Sequence, residues 1–132
     1  MSSAVNHIEY SLHPDVSAMT VGRDSALPFP VLQMHQVHDV HVAVIDNPDI
    51  TSEQLDGYDA MITNLRGLAI GVRTADCIPI LLYDPVNKAA AAVHSGWRGT
   101  VAKILRNVIG KMSSTYGTQP AELLAVIGPG IC

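Results

Sequence analysis

An amphipathic segment that directly follows an extended, alanine-rich run limits this chain to folds that combine helix and sheet. The spacing of its apolar residues predicts a helix over residues 100–112 with one face in the core. The apolar positions are Val101, Ile104, Leu105, Val108, Ile109 and Met112. Thr100 is expected to cap the N-terminus and Gly117 to end the helix. The basic side chains expected to face water are Lys103, Arg106 and Lys111.

Short runs rich in apolar and β-branched residues predict that strands form most of the remaining chain. The predicted strands are Val31–Met34, Val40–Ile45, Ala60–Thr63, Leu68–Arg73, Ile78–Tyr83, Lys88–His94 and Glu122–Ile127. The turn Asp84–Asn87 indicates a hairpin, and the alanines after it predict that a packed layer lies close. Residues 1–30 lack periodicity, with one short strand expected near Val5–Tyr10. We predict a single domain over residues 1–132 with an α+β fold or a layered α/β sandwich.

Composition excludes several classes of protein. Of the 132 residues, 48% are hydrophobic and 15% are charged, which is incompatible with a disordered chain. The formal charge is −4 and no basic cluster is dense, so we expect no nucleic-acid partner. We expect no membrane association, because no apolar run reaches the ~18–20 residues that span a bilayer. The first residues lack a signal-peptide pattern, and the two cysteines are expected to be reduced thiols in the cytoplasm.

The chain ends at Ile127–Cys132 with an apolar run and a Gly-Pro-Gly turn, but with no closing element. Natural termini are usually polar and exposed, so this ending predicts a truncated or fragmentary chain. The alternative is a chain that ends in a short edge strand.

Cys77 and Asp76 lie between two predicted strands, and His94 lies at the end of a third. Cys and His together are ligands that Zn²⁺ prefers, and three of them leave a position for water or substrate. A Cys–His pair also suits nucleophilic catalysis. Asp76 either orients a metal-bound His, moves protons or bonds backbone N–H groups in a turn. Taken alone, Cys77 would more often be a buried, inert thiol.

The segment after His94 predicts an anion site. A strand carries His94 to its carboxyl end, Ser95-Gly96 turns the chain, and Gly99-Thr100 begin the helix. Free N–H groups and the positive end of the helix dipole would then lie beside His94. Arg98 either clamps a phosphate with two hydrogen bonds or forms a structural ion pair. Trp97, the single tryptophan, is either a wall for an aromatic base or a residue of the core.

The histidine-rich stretch that begins at His35 and ends at His41 offers a further metal ligand. In an extended chain, His35 and His41 share one face and His38 points to the other. One ligand from this stretch is therefore expected rather than three, and the spacing alone does not identify it. His7 and His13 belong to the irregular N-terminal part and are expected to be exposed.

Four segments combine these residues in a distinctive order. They are Gln36-Val37-His38, Thr74-Ala75-Asp76-Cys77-Ile78-Pro79, His94-Ser95-Gly96-Trp97-Arg98-Gly99-Thr100 and Ile127-Gly128-Pro129-Gly130-Ile131. Together they resemble the laccase-domain or polyphenol oxidase family, whose members are also described as purine nucleoside phosphorylases and peptidoglycan-editing factors. The likeness extends over residues 31–131.

The resemblance implies that His38, Cys77 and His94 hold a metal, with Zn²⁺ favoured and Cu²⁺ as the metal of the oxidase activity. It implies a layered α/β/β/α sandwich with mixed sheets, incomplete here because a C-terminal half follows the Gly-Pro motif in the family. It also implies phosphorolysis of adenosine, inosine, guanosine or methylthioadenosine to a free base and ribose 1-phosphate. Deamination of adenosine to inosine belongs to the same set of activities.

A zinc-dependent purine nucleoside phosphorylase, with a purine nucleoside and phosphate as its small-molecule partners, is the leading hypothesis. Its catalytic candidates are Cys77, His94 and Asp76, the last as proton donor to the leaving base. Its substrate- or phosphate-binding candidates are Arg98, Gly99 and Thr100.

Three other functions stay open. A copper-dependent polyphenol oxidase would use the His₂Cys ligand set of electron-transfer copper, although the sequence lacks the clustered histidines that several coppers need. A hydrolase acting on cell-wall material would use Cys77 as nucleophile and His94 as base, and requires a metal-free thiolate of low pKa. The last is an inactive fragment or binding module.

Overall fold

The computed structural model describes residues 7–21, 31–33, 41–55, 58–72, 78–95 and 98–127. These ranges contain nine strands: β1 (His7–His13), β2 (Val16–Val21), β3 (Leu32–Gln33), β4 (Val42–Ile45), β5 (Ala60–Thr63), β6 (Ile70–Gly71), β7 (Ile78–Asp84), β8 (Ala89–Ser95) and β9 (Leu124–Ile127). Helix α1 spans Arg98–Tyr116, and short 3-10 helices span Ser52–Leu55 and Pro120–Glu122. The α+β prediction is confirmed. None of the helices in these ranges has the length and apolar character needed to traverse a membrane.

A mixed five-stranded sheet, in the order β4-β5-β8-β7-β9, forms the centre of the fold. Strands β4 and β5 are parallel, and the other neighbours are antiparallel. Strands β7 and β8 form the predicted hairpin, paired from Asp84 with Ala89 to Ile78 with Ser95. The seven strands predicted beyond residue 30 are all present among the described residues, although several are shorter than predicted.

Helix α1 packs on one face of this sheet. Its residues Ile104, Val108 and Met112 are buried in a cluster that includes Ala89 and Ala91 of β8. The small alanine side chains allow the helix to lie close to the strand, as the sequence predicts. The predicted basic positions of α1 are exposed.

Both ends of α1 differ from the predicted bounds. The helix begins at Arg98, so Thr100 lies inside the first turn and its prediction as N-cap is wrong. The apolar periodicity marks only the turns that touch the core, and the first turn precedes them. At the other end α1 continues to Tyr116. Gly117, with φ of 77°, then ends it, and its N–H donates to the Ser113 carbonyl over 3.0 Å, the expected left-handed cap.

A second apolar cluster covers the opposite face of the sheet. It contains Leu32 of β3, Leu55 of a 3-10 helix, Met61 of β5 and two residues of β4. Strands β3 and β6 form a separate parallel pair, and partly buried Ile70 of β6 packs against the cluster. The sheet is therefore covered by α1 on one face and by short extended segments on the other.

The N-terminal hairpin of β1 and β2 is the main departure from the predicted structure. These strands pair from His7 with Val21 to His13 with Val16. The short strand expected near Val5–Tyr10 overlaps β1, whereas β2 and the pairing lie where the sequence indicated irregular chain. The His13 ring centroid lies 5.4 Å from that of Tyr83, so His13 is partly buried and its predicted exposure is wrong. Lys88 forms an ion pair with Asp15 that lowers the pKa of this carboxyl. These contacts between distant residues are not visible in local periodicity.

A buried carboxylate joins the β7–β8 turn to the chain that follows α1. Asp84 accepts hydrogen bonds from the backbone N–H groups of Val86 and Asn87, the Asn87 amide and the Thr118 hydroxyl, over 2.7–3.1 Å. Burial raises the pKa of the Asp84 carboxyl, but the hydrogen bonds from Thr118, Asn87 and Val86 outweigh it and hold the pKa below its usual value. The charged form is therefore the one that stabilises the fold.

Replacing the Asp84 carboxylate should destabilise the chain in a pH-dependent way. We expect Asp84→Asn to lower the free energy of unfolding by about 1–3 kcal/mol near neutral pH, because an amide cannot accept the same hydrogen bonds. The native pKa is depressed, so this contribution is present above the unfolded pKa of about 3.9 and is lost as pH falls through the native value. Urea unfolding at several pH values measures it. An equal difference at neutral and strongly acidic pH would contradict this account, and exposed Asp49→Asn is the control.

The closeness of α1 to β8 predicts a steric limit. We expect Ala91→Leu, at a buried position of the helix-facing cluster, to destabilise the chain by about 1–3 kcal/mol through overpacking. Exposed Ala125→Leu in β9 should change stability by no more than about 0.5 kcal/mol. Thermal or urea unfolding compares the two. Equal effects would mean that the helix does not confine β8.

Candidate functional site

The candidate site lies where the carboxyl end of β8 meets the beginnings of β4, β5 and β7. Two backbone hydrogen bonds join the strands at this end of the sheet. The His94 N–H donates to the Asp59 carbonyl over 2.9 Å, and the Asp59 N–H donates to the His41 carbonyl over 3.0 Å. Asp59 therefore continues the pairing of β5 one residue beyond Ala60, and joins β4 to β8.

Strand register places the side chains of Asp59 and His94 together. Ala60 pairs with Val93, so the next pair outward in this antiparallel ladder is Asp59 with His94. Opposed residues in such a ladder project from the same face. His94 Nδ1 lies 3.6 Å from Asp59 Oδ1, and both side chains are buried. An imidazole held beside a carboxylate is suited to metal binding and to proton transfer.

The alternation along β8 separates the site from the helix-facing core. Ala89, Ala91 and Val93 belong to the cluster against α1, whereas His94 has the opposite parity and lies on the other face. On that face the same strand carries Ala92, and β5 carries Met61. The His94 imidazole therefore faces away from α1.

Helix α1 begins three residues after the end of β8, at Arg98. Gly99 and Thr100 lie in its first turn. The first N–H groups of a helix lack intrahelical acceptors and carry the positive end of the dipole, so the backbone at this point is suited to an anion. The side chains of Arg98 and Thr100 are outside the described part of the structure.

The structure describes only part of the predicted site. His94 is placed at the strand end that its motif predicts. His38, Asp76 and Cys77, like Trp97, fall outside the described residues. Within the ranges that are described, no three His, Cys, Asp or Glu side chains form a group that could hold a metal ion. The assignment of His38 and Cys77 as ligands stays a prediction.

Asp59 is the site residue that the sequence interpretation missed. It lies between the polar stretch that ends at Tyr58 and the predicted strand Ala60–Thr63, and no motif includes it. The available signal was its position: continued alternation from buried Met61 places residue 59 on the same face. Only the partner strand, which local sequence does not identify, gives that face a histidine.

Comparison with known proteins identifies similar sequences. A family model described as multi-copper polyphenol oxidoreductase laccase matches residues 18–132. The chain is 40% identical over 124 residues to a purine nucleoside phosphorylase of Streptomyces coelicolor, which covers 89% of this chain and 50% of that protein. It is 43% identical over 103 residues to adenosine deaminase RL5 of an unknown prokaryotic organism, which covers 74% of this chain and 39% of that protein. The chain thus spans half the length of these relatives or less.

A solved structure shares the fold. The crystal structure of Neisseria meningitidis protein NMB0706 matches with a TM-score of 0.73 and 23% identity, over 96% of this chain and 63% of that chain. The mixed α+β arrangement described above is therefore also found in an experimentally determined structure.

Proposed function

Because the chain belongs to the multi-copper polyphenol oxidoreductase laccase family, we propose that it is a zinc-dependent purine nucleoside phosphorylase. Its reaction would convert adenosine, inosine, guanosine or methylthioadenosine and phosphate into a free base and ribose 1-phosphate, with deamination of adenosine as a second activity. The observation that carries the proposal is the buried contact of His94 with Asp59 at a strand end. Similarity to proteins named purine nucleoside phosphorylase and adenosine deaminase supports this choice of reaction.

The donors near this strand end fit a zinc ion. His94 is buried and has a carboxylate beside one ring nitrogen, the usual surroundings of a metal-binding histidine. Cys77 directly precedes Ile78 in the sequence. Ile78 pairs with Ser95, the residue that follows His94. We propose that His94, Cys77 and His38 hold Zn²⁺, a ligand set with one position left for substrate. Bound there, Zn²⁺ would supply a Lewis acid.

We assign phosphate to the beginning of α1. The N–H groups of its first turn, which includes Gly99 and Thr100, would donate to phosphate oxygens, and the Arg98 guanidinium would add two further hydrogen bonds. In phosphorolysis a phosphate oxygen bonds to the ribose carbon while the carbon–nitrogen bond to the base breaks. The base then takes up a proton, for which Asp76 is the proposed donor.

We place this reaction in the cytoplasm, where reduced thiols persist. Its partners are then a small nucleoside and phosphate, with no part for a nucleic acid or a membrane.

Metal content followed by a phosphorolysis assay tests the proposal. We expect the purified 132-residue chain to hold zinc near one equivalent by mass spectrometry, and to release adenine from adenosine only when phosphate is present. Cys77→Ser should lose most of the zinc because the hydroxyl is a poor ligand, whereas Cys132→Ser should keep it. A chelator should abolish adenine release and added Zn²⁺ should restore it.

Other outcomes of the same assays would contradict the zinc phosphorylase. Activity that requires Cu²⁺ and consumes O₂ would indicate the polyphenol oxidase. Activity that resists chelator but is lost on thiol alkylation would indicate a cysteine hydrolase. Zinc binding without adenine release would contradict activity of this chain alone and leave the metal site standing.

The phosphate assignment predicts a selective kinetic effect. We expect Arg98→Ala to raise the KM for phosphate by about tenfold or more, because a charge-assisted hydrogen bond contributes about 1.5–3 kcal/mol. The KM for the nucleoside should change little. Arg106→Ala, at an exposed position of the same helix, is the matched control. A change confined to the nucleoside KM would place Arg98 near the base instead.

A further inference from the structure

The contact between Asp59 and His94 gives Asp59 a role beyond packing. We propose that Asp59 is a positioning residue whose carboxylate accepts the Nδ1 proton of His94, so that Nε2 carries the lone pair for a ligand. For the identity of that ligand the inference rests on the proposed zinc site. For the state of the imidazole it rests on the contact alone.

The backbone fixes where the Asp59 carboxylate can lie. The Asp59 N–H is bonded to the His41 carbonyl, and the Asp59 carbonyl accepts the His94 N–H. Asp59 is thus held on both sides by neighbouring strands, and its side chain leaves the sheet directly opposite that of His94. A residue anchored in this way can position its partner without moving itself.

Burial favours a hydrogen bond between the Asp59 carboxylate and the His94 imidazole. Both side chains are buried, and a buried charge is costly unless a hydrogen-bond donor stabilises it. Their cross-strand neighbours include Met61, Ala92 and Pro79, and His41 lies opposite Asp59 at the beginning of β4. The 3.6 Å between Nδ1 and Oδ1 is longer than an ordinary hydrogen bond. Such contacts are often long before ligand binds.

The geometry of the imidazole ring determines which of its nitrogens is left for a ligand. Its two nitrogens lie on different sides of the ring, so a carboxylate at Nδ1 leaves Nε2 directed away from Asp59. Neutral imidazole carries one proton, and placing it on Nδ1 makes Nε2 the acceptor or metal ligand. Without the carboxylate the proton can move to Nε2, which would block the ligand position until it moves back.

The tautomer of His94 can be measured directly in the metal-free chain. Long-range ¹H–¹⁵N correlation spectra of ¹⁵N-histidine-labelled protein distinguish protonated from bare ring nitrogens, at a pH about two units above the ordinary His pKa of about 6.5. We expect His94 to carry its proton on Nδ1. In Asp59→Asn the backbone bonds remain, but the amide can donate to Nδ1, so the Nε2-protonated form should become substantial or dominant.

Zinc affinity gives a second readout. Competition with a chromogenic chelator should show Asp59→Asn binding Zn²⁺ about 10–100-fold more weakly than the unchanged chain. Asp84→Asn is the matched control, since it also replaces a buried carboxylate by an amide in this sheet, but at the far end of the β7–β8 hairpin and toward the helix. It should lower stability and leave both the tautomer and the zinc affinity unchanged.

The outcomes separate this inference from the proposed function. Proton on Nε2 in the unchanged chain, or an Asp59→Asn variant with unaltered tautomer and zinc affinity, would overturn the role of Asp59. If the unchanged chain binds no zinc, the proposed function fails, and the tautomer still decides the inference. If Asp59→Asn does not fold, the tautomer of the unchanged chain decides it in the same way.

Discussion

The pairing of β8 with β5 on one side and β7 on the other is the constraint from which the rest of the described structure follows. As a central strand, β8 has both its backbone edges bonded and both its faces covered. Its register with β5 sends Ala89, Ala91 and Val93 toward α1 and leaves His94 on the opposite face, beside Asp59. A shift of the pairing by one residue would turn His94 into the helix-facing core and Ala91 and Val93 to the opposite face, so that packing and site would be lost together.

Elements whose signal is local could be predicted from the sequence. The Asp84–Asn87 turn between two apolar runs predicts the hairpin of β7 and β8. The spacing of core residues predicts α1. The strand end at His94 followed from the same reasoning, since a strand, a glycine turn and a helix leave few other arrangements. These signals did not predict the first turn of α1, because residues that do not touch the core do not contribute to the periodicity.

Elements that depend on distant partners could not be predicted. Of the hairpin of β1 and β2, the sequence indicated only a short strand near Val5–Tyr10. The hairpin is held against the sheet by side chains such as His13, whose partner Tyr83 is far along the chain. Asp59 is a stronger case, since nothing near it in sequence indicates that β8 will bring a histidine to its side. His38 and Cys77 were assigned by motif, and that assignment depends on resemblance rather than on contacts.

The two parts of the proposed site come from opposite layers of the fold, and this limits where a substrate can lie. His94 projects from the face that α1 does not cover, whereas the first turn of α1 belongs to the helical layer. A ligand that touches both cannot lie on either face, because the sheet itself would separate the two groups. It must lie beyond the carboxyl end of β8, at the end of the sheet where the backbone of Asp59 joins β4 to β8. The two backbone hydrogen bonds of Asp59 fix its position there, between the beginning of β4 and the carboxyl end of β8.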